Sequence, residues 1–201
     1  WRTMPRPRPS PAWLSARRRL PMVKINKLLA RVKTAPAPLE TPTDLSPEAV
    51  AQITAGLNGL VADTYALYFK TKNFHWHVSG PHFRDYHLLF DEQAKELFET
   101  TDELAERVRK IGGATLRSIG HIARLQRVED NDQDFVPPLE MLRELMADNK
   151  AMMVNLRDVH ELAEDHSDVG TSSMLEVFID GAEKRNWFLF EASRHAEQSG
   201  H

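Results

Sequence analysis

Five side chains able to ligate a metal recur at helical spacing in one stretch of this sequence: His75, His87, Asp91, Asp102 and Glu106. His87 and Asp91 are four apart, as are Asp102 and Glu106, so on a helix each pair converges on one point. Two imidazoles and three carboxylates form a mixed nitrogen and oxygen set that suits iron, manganese or zinc better than copper(I) or magnesium alone. The chain has no cysteine, which excludes disulfides, thiolate nucleophiles, Cys-ligated zinc and iron–sulfur clusters.

The separation between the pairs decides how they can be used. Asp91 and Asp102 are about three helical turns apart, on one face but roughly 16 Å from each other, so one chain cannot place both on the same metal. Two chains can. The positions of His87 and Glu106 have the same sum as those of Asp91 and Asp102, so two copies of the helix packed antiparallel, with an axis near Glu96 and Leu97, bring each His87/Asp91 pair against a partner's Asp102/Glu106 pair. His75, on the last turn of the preceding helix, can join if that end lies beside His87. Acid and base pairs four apart also occur on solvated faces of a chain that is 27% charged; the matched register and the nearby His75 set these apart. Bundles that hold two irons within one chain use Glu-x-x-His. None of the nine histidines here has Glu three residues before it, so an intersubunit site is the remaining way to collect enough ligands.

The elements that must carry these groups are helices. After residue 45 no run alternates with period 2 long enough to be a strand. The first helix opens at Ser46 as N-cap and Pro47, repeats Val50, Ile53, Leu57, Leu60, Leu67 and Val78, and stops at Ser79-Gly80-Pro81. The second runs from about Phe83 to Ile111, with Phe83, Tyr86, Phe90, Ala94, Leu97, Leu104, Val108 and Ile111 on one face, and ends at Gly112-Gly113. A short helix is expected between Arg117 and Leu125. The third begins near Pro137-Pro138, with Leu139, Leu142, Leu145, Met152, Leu156, Val159 and Ala163 inward. The fourth spans about Thr171 to Glu197, with Leu175, Phe178, Ala182, Leu189 and Ala196. The link of about 25 residues between the second and third suits a crossover between parallel helices.

Charge divides the chain. Residues 1–39 hold ten basic side chains and no acid, so of 26 basic residues 16 remain against 29 acidic ones, a charge of −13 from position 40 onward. Eight of the twelve prolines fall within residues 1–42. Residues 1–44 are therefore expected to be a disordered basic arm, with a short helix near 23–33, and residues 45–201 a helical domain. The chain begins with Trp1, which makes Met4 or Met22 a candidate start, and the Arg-rich, acid-poor arm is also compatible with a transit peptide. No window approaches the roughly 20 apolar residues that span a bilayer, so no membrane association is expected and the expected location is intracellular.

The run Phe74-His75-Trp76, then Gly80, His87, Asp91 and Asp102-Glu103-Leu104-Ala105-Glu106-Arg107 ending at Gly112-Gly113, resembles the signature of Dps, the DNA-binding proteins from starved cells, which are miniferritins of the ferritin-like superfamily. The resemblance covers roughly residues 45–198. Arg117 to Arg124 and Trp187 look like the family's segment between the second and third helices and its fourth-helix Trp. The resemblance implies an all-α, ferritin-like four-helix bundle whose long crossover contains a short helix, assembled from two-fold dimers into a hollow dodecamer. It implies that His75, His87 and Asp91 of one subunit join Asp102 and Glu106 of its neighbour as the catalytic metal ligands, binding two irons per site. The implied reaction is oxidation of Fe²⁺, preferably by hydrogen peroxide, with ferric mineral stored in the cavity of a cytoplasmic, nucleoid-associated bacterial protein.

Carboxylates fit that chemistry because hard anionic oxygens favour Fe³⁺ over Fe²⁺. Trp76 beside His75 is a candidate electron donor, or simply a packed aromatic. Glu164, Asp165 and Asp168 cluster where the family has acidic iron-entry pores, or form a solvated turn. The basic arm suits nonspecific DNA binding through phosphates. Two other readings stay open: an architectural DNA-compacting shell without enzymatic activity, and an iron store that never binds DNA.

Overall fold

In the computed structural model the described residues are 39–198, with side chains to Arg194. Five helices follow in order: α1 (Pro47–His77), α2 (Phe83–Lys110), α3 (Ile119–Leu125), α4 (Pro138–Asp165) and α5 (Val169–Gln198). No strand occurs among the described residues. The expected arm helix near 23–33 lies outside them.

Helix ends follow local chemistry. The Ser46 hydroxyl accepts from the Ala49 N–H at 3.1 Å, with Pro47 at the first helical position, where its missing N–H costs nothing. Ser118 caps α3 by accepting from the His121 N–H. At the end of α2 the chain turns sharply through Gly112, and a Cβ on Gly113 would lie 2.1 Å from Thr54 Oγ1, so only glycine lets the crossover leave this close to α1. Residues 39–41 lie against the same helix end, where Arg109 Nη2 donates to Leu39 O at 2.5 Å.

Cross-helix contacts give the topology. Gln52 meets His166, Asp63 meets Asn155 and Lys70 meets Asp148, so α1 and α4 run antiparallel. Gln93 reaches Arg185 O and Arg107 reaches Thr171, so α2 and α5 are antiparallel too. Because α1 and α2 form an antiparallel hairpin, α2 and α4 run parallel, and residues 111–137 cross between them carrying α3. At about 1.5 Å per residue the four long helices are rods of some 42 to 46 Å.

The core is the expected apolar stripes: Ile53, Leu57, Leu60 and Leu67 face Phe90, Leu97, Leu104, Leu142, Leu145, Leu156, Leu175 and Leu189, all buried. Three expected members differ. Phe83 is exposed, its ring 5.0 Å from His87, while Val78 and Tyr86 close that end of the core. Val50 and Leu139 are half-buried, and at the first turns of α1 and α4 the buried places go to Ala49 and Met141. Thr64 and Thr71, also buried, donate their hydroxyls to Leu60 O and Leu67 O one turn back, which satisfies them without a partner helix.

The crossover is anchored to α1 by a charge. Asp63 is 1% exposed and accepts from the Arg127 backbone N–H at 2.6 Å, from Arg127 Nε at 2.8 Å and from Asn155 Nδ2 at 3.2 Å. Removing the guanidinium leaves a buried carboxylate short of donors. Arg127→Met is therefore expected to lower stability by about 3 kcal/mol, and the added change Asp63→Ala to recover part of it. Urea denaturation at one fixed protein concentration measures both.

Candidate metal centre

The turn of residues 78–82 joins α1 to α2, and Gly80 takes φ +104°, a conformation that side chains resist. This short return sets His75, on the last turn of α1, against His87, near the start of α2. Their rings stack at 3.8 Å between centroids. Each also bonds the other's backbone: His75 Nδ1 to His87 O and His87 Nδ1 to His75 O, both at 2.8 Å. A carbonyl oxygen only accepts, so each Nδ1 must carry the hydrogen and each neutral ring keeps its lone pair on Nε2. Such outer bonds orient metal-ligating imidazoles.

Asp91 lies one turn beyond His87, with Oδ1 3.9 Å from His75 Nε2. Its carboxylate is held by two ammonium groups, Lys72 Nζ on Oδ1 at 2.8 Å and Lys95 Nζ on Oδ2 at 2.7 Å. The hydrogen bond from Lys72, then that from Lys95, keeps the Asp91 carboxyl well below the ordinary carboxylate range, outweighing its partial burial. An open cleft of about 290 Å³ adjoins it, with Tyr68, Lys72, Lys95 and Phe98 among its walls. Sequence reasoning missed both lysines. Lys95 had a signal, since acid followed four residues later by lysine is the favourable helical orientation; Lys72 becomes visible only once the hairpin register is known.

Asp102 and Glu106 lie further along α2, away from this cluster and exposed, and Glu106 bonds Lys110 at 3.1 Å. Within one chain, and among the described residues, no group of three or more His, Asp or Glu side chains is placed to hold a metal ion. The hairpin thus gathers His75, His87 and Asp91 and leaves Asp102 and Glu106 apart, as the helical spacing requires.

The bundle interior offers no rival. Its buried charges are already engaged: Lys70 with Asp148 at 2.7 Å, Arg185 with Asn149 Oδ1 at 3.2 Å and Glu96 at 3.7 Å, Asp63 with Arg127, and Asp168 with Arg107. A buried ammonium or guanidinium repels a further cation.

The acidic turn differs from its expected pore role at one residue. Asp168 is 4% exposed; it accepts from Arg107, from the Thr171 N–H at 3.1 Å and from the Thr171 hydroxyl at 2.5 Å, so it caps α5 and ties it to α2. Trp76 is not a core aromatic: it is exposed, 6.0 Å edge-on from Phe69. His160 has Glu164 at 3.6 Å from Nδ1 and Glu176 at 3.5 Å from Nε2, an arrangement that one metal cannot share because it takes one nitrogen.

Comparison with known proteins places the fold. Residues 54–197 match the family model described as ferritin-like domain. The chain is similar to an uncharacterised low temperature-induced protein of Nostoc, 35% identical over 134 residues, which cover 66% of this chain and 75% of that one. It is similar to DNA protection during starvation protein 2 of Bacillus anthracis, 34% identical over 141 residues, 69% of this chain and 94% of that one. Among solved structures, DpsC from Streptomyces coelicolor superposes with a TM-score of 0.74 at 27% identity, covering 80% of this chain and 91% of that chain.

The Asp91 ion pairs predict an acid dependence. A carboxyl lowered in the folded state contributes stability that is fully present above its unfolded value near 4 and is lost as pH falls toward the folded value. Asp91→Asn removes that contribution. Its stability should therefore fall less steeply than the wild type's below about pH 5, read as urea midpoints at a series of pH values.

Proposed function

The chain belongs to the ferritin-like domain family, in its Dps branch, and from that premise we propose that it is a ferroxidase and iron-storage miniferritin whose sites form between two copies of the chain. The observation that carries this reading is the reciprocal His75 and His87 pairing, which leaves both Nε2 lone pairs available, that of His75 3.9 Å from Asp91 Oδ1. Asp102 and Glu106 of a second copy supply further carboxylates when two α2 helices cross antiparallel near Glu96 and Leu97. The two helices also expose Phe69, Leu88 and Phe98, apolar surface of the kind a two-fold contact covers. Twelve subunits so paired form the hollow shell.

Iron is the substrate. His75, His87 and Asp91 with the neighbour's Asp102 and Glu106 hold two Fe²⁺, and the carboxylates stabilise the ferric product. Two Fe²⁺ give one electron each to hydrogen peroxide; its O–O bond breaks and, with two protons, two waters leave. Pairing the electrons avoids a hydroxyl radical, and ferric oxyhydroxide grows in the cavity. In this reading the protein works in the bacterial cytoplasm, and residues 1–39, with their ten basic side chains, attach it to DNA without reading sequence while the −13 body repels it. Among the described residues no helix is long and apolar enough to cross a membrane.

Fe²⁺ oxidation after anaerobic addition of peroxide should be fast in the wild type. In the Asp102→Ala, Glu106→Ala double variant it should slow by at least about tenfold, since even outer-shell losses cost that much, with the assembly intact by light scattering. Equal rates would favour an architectural shell. Full-length protein should shift DNA in a gel at low salt and lose the shift as salt rises, whereas residues 40–201 should not shift it; binding by both would remove the arm from the DNA role.

A further inference from the structure

We propose that Lys72 and Lys95 are a cationic latch on Asp91, positioning residues that hold its carboxylate and set how tightly the site takes a divalent cation. This rests on His75, His87 and Asp91 being metal ligands, as read above.

The argument is one of competition for an oxygen. Asp91 Oδ1 is the oxygen that faces His75 Nε2, at 3.9 Å, and the same oxygen accepts from Lys72 Nζ at 2.8 Å. A cation shared by that nitrogen and that oxygen meets the ammonium at the carboxylate it needs. The other oxygen is held by Lys95 at 2.7 Å, so Asp91 has no oxygen without an ammonium on it. Metal entry is then an exchange of cations, and the lysines set its cost.

Their unequal settings divide the effect. Lys95 is 69% exposed, so releasing its ammonium into water costs little. Lys72 is only 18% exposed, joins α1 to α2 and bonds the oxygen that faces His75. Lys72 is the stronger competitor. The latch also has a use before loading. With Asp102 and Glu106 of a neighbour facing Asp91, three carboxylates would meet without a counter-ion, and the two ammonium groups offset that repulsion until a metal replaces them.

A pair that merely staples α1 to α2 makes the opposite prediction, because its loss loosens the ligands. The test is calorimetric titration of the assembled, full-length protein with Zn²⁺, a probe that binds the same nitrogen and oxygen donors without redox chemistry. Lys72→Met should bind Zn²⁺ about tenfold tighter than wild type, Lys95→Met less than about threefold tighter, and Lys72→Arg, which keeps the charge, no tighter than wild type. Lys72→Gln, a second neutral variant, should follow Lys72→Met, and light scattering checks that each variant is assembled. Equal or weaker binding in both neutral Lys72 variants, with binding still lost in His75→Ala, overturns the latch and leaves the ligand set standing. Wild-type Zn²⁺ binding in His75→Ala overturns the ligand set and the latch with it.

Discussion

Asp91 and Asp102 stand on one uninterrupted helix, and a helix cannot fold back on itself to join its own faces. Three turns of hydrogen-bonded backbone hold the two ends of the proposed ligand set apart however the rest of the chain packs. The remaining architecture follows from that separation. The α1–α2 hairpin is closed by a turn short enough to put His75 beside His87, while the acidic pair further along α2 stays exposed, with Lys110 on Glu106. Phe69, Leu88 and Phe98 leave apolar surface exposed on the outside of α1 and α2.

Charge is arranged by the same logic. Cations fill the positions in the bundle interior where a metal could otherwise be attracted, with Lys70 and Arg185 buried against Asp148, Asn149 and Glu96. At the hairpin they sit on Asp91 itself. Asp63 and Asp168 are the buried anions, and each is used for construction, the first to hold the crossover on α1 and the second to cap α5 and bind Arg107. Both are thereby withdrawn from metal binding.

Much of this was legible in the sequence because helices announce themselves through short-range chemistry. Ser46-Pro47, Gly80 and Gly112-Gly113 mark ends that the structure places within a residue or two, and the apolar stripes mark the buried faces. The failures share a cause. Phe83 is as apolar as Phe90, yet it lies at the first turn of α2, where the stripe has no neighbour to cover it. Asp168 reads as one acid among three in a turn, and only the approach of Arg107 from another helix buries it. Lys72 touches Asp91 across the hairpin, a contact that needs its register as well as its helices. Periodicity reports which face of a helix is buried and is silent about which charges meet across two of them.

The crossover also bears on how the chain reaches this structure. The α1–α2 and α4–α5 hairpins are each built from contacts close in sequence, which incur little loop-closure entropy and favour rapid formation. What joins them is the long segment 111–137, fastened where Arg127 meets Asp63. Asp63 can stay hydrated in an isolated hairpin and gives up its water only as the second hairpin arrives with Asn155. The desolvation of one carboxylate is thereby deferred to the slow, non-local step, so that Asp63 reports on docking of the two halves and not on helix formation.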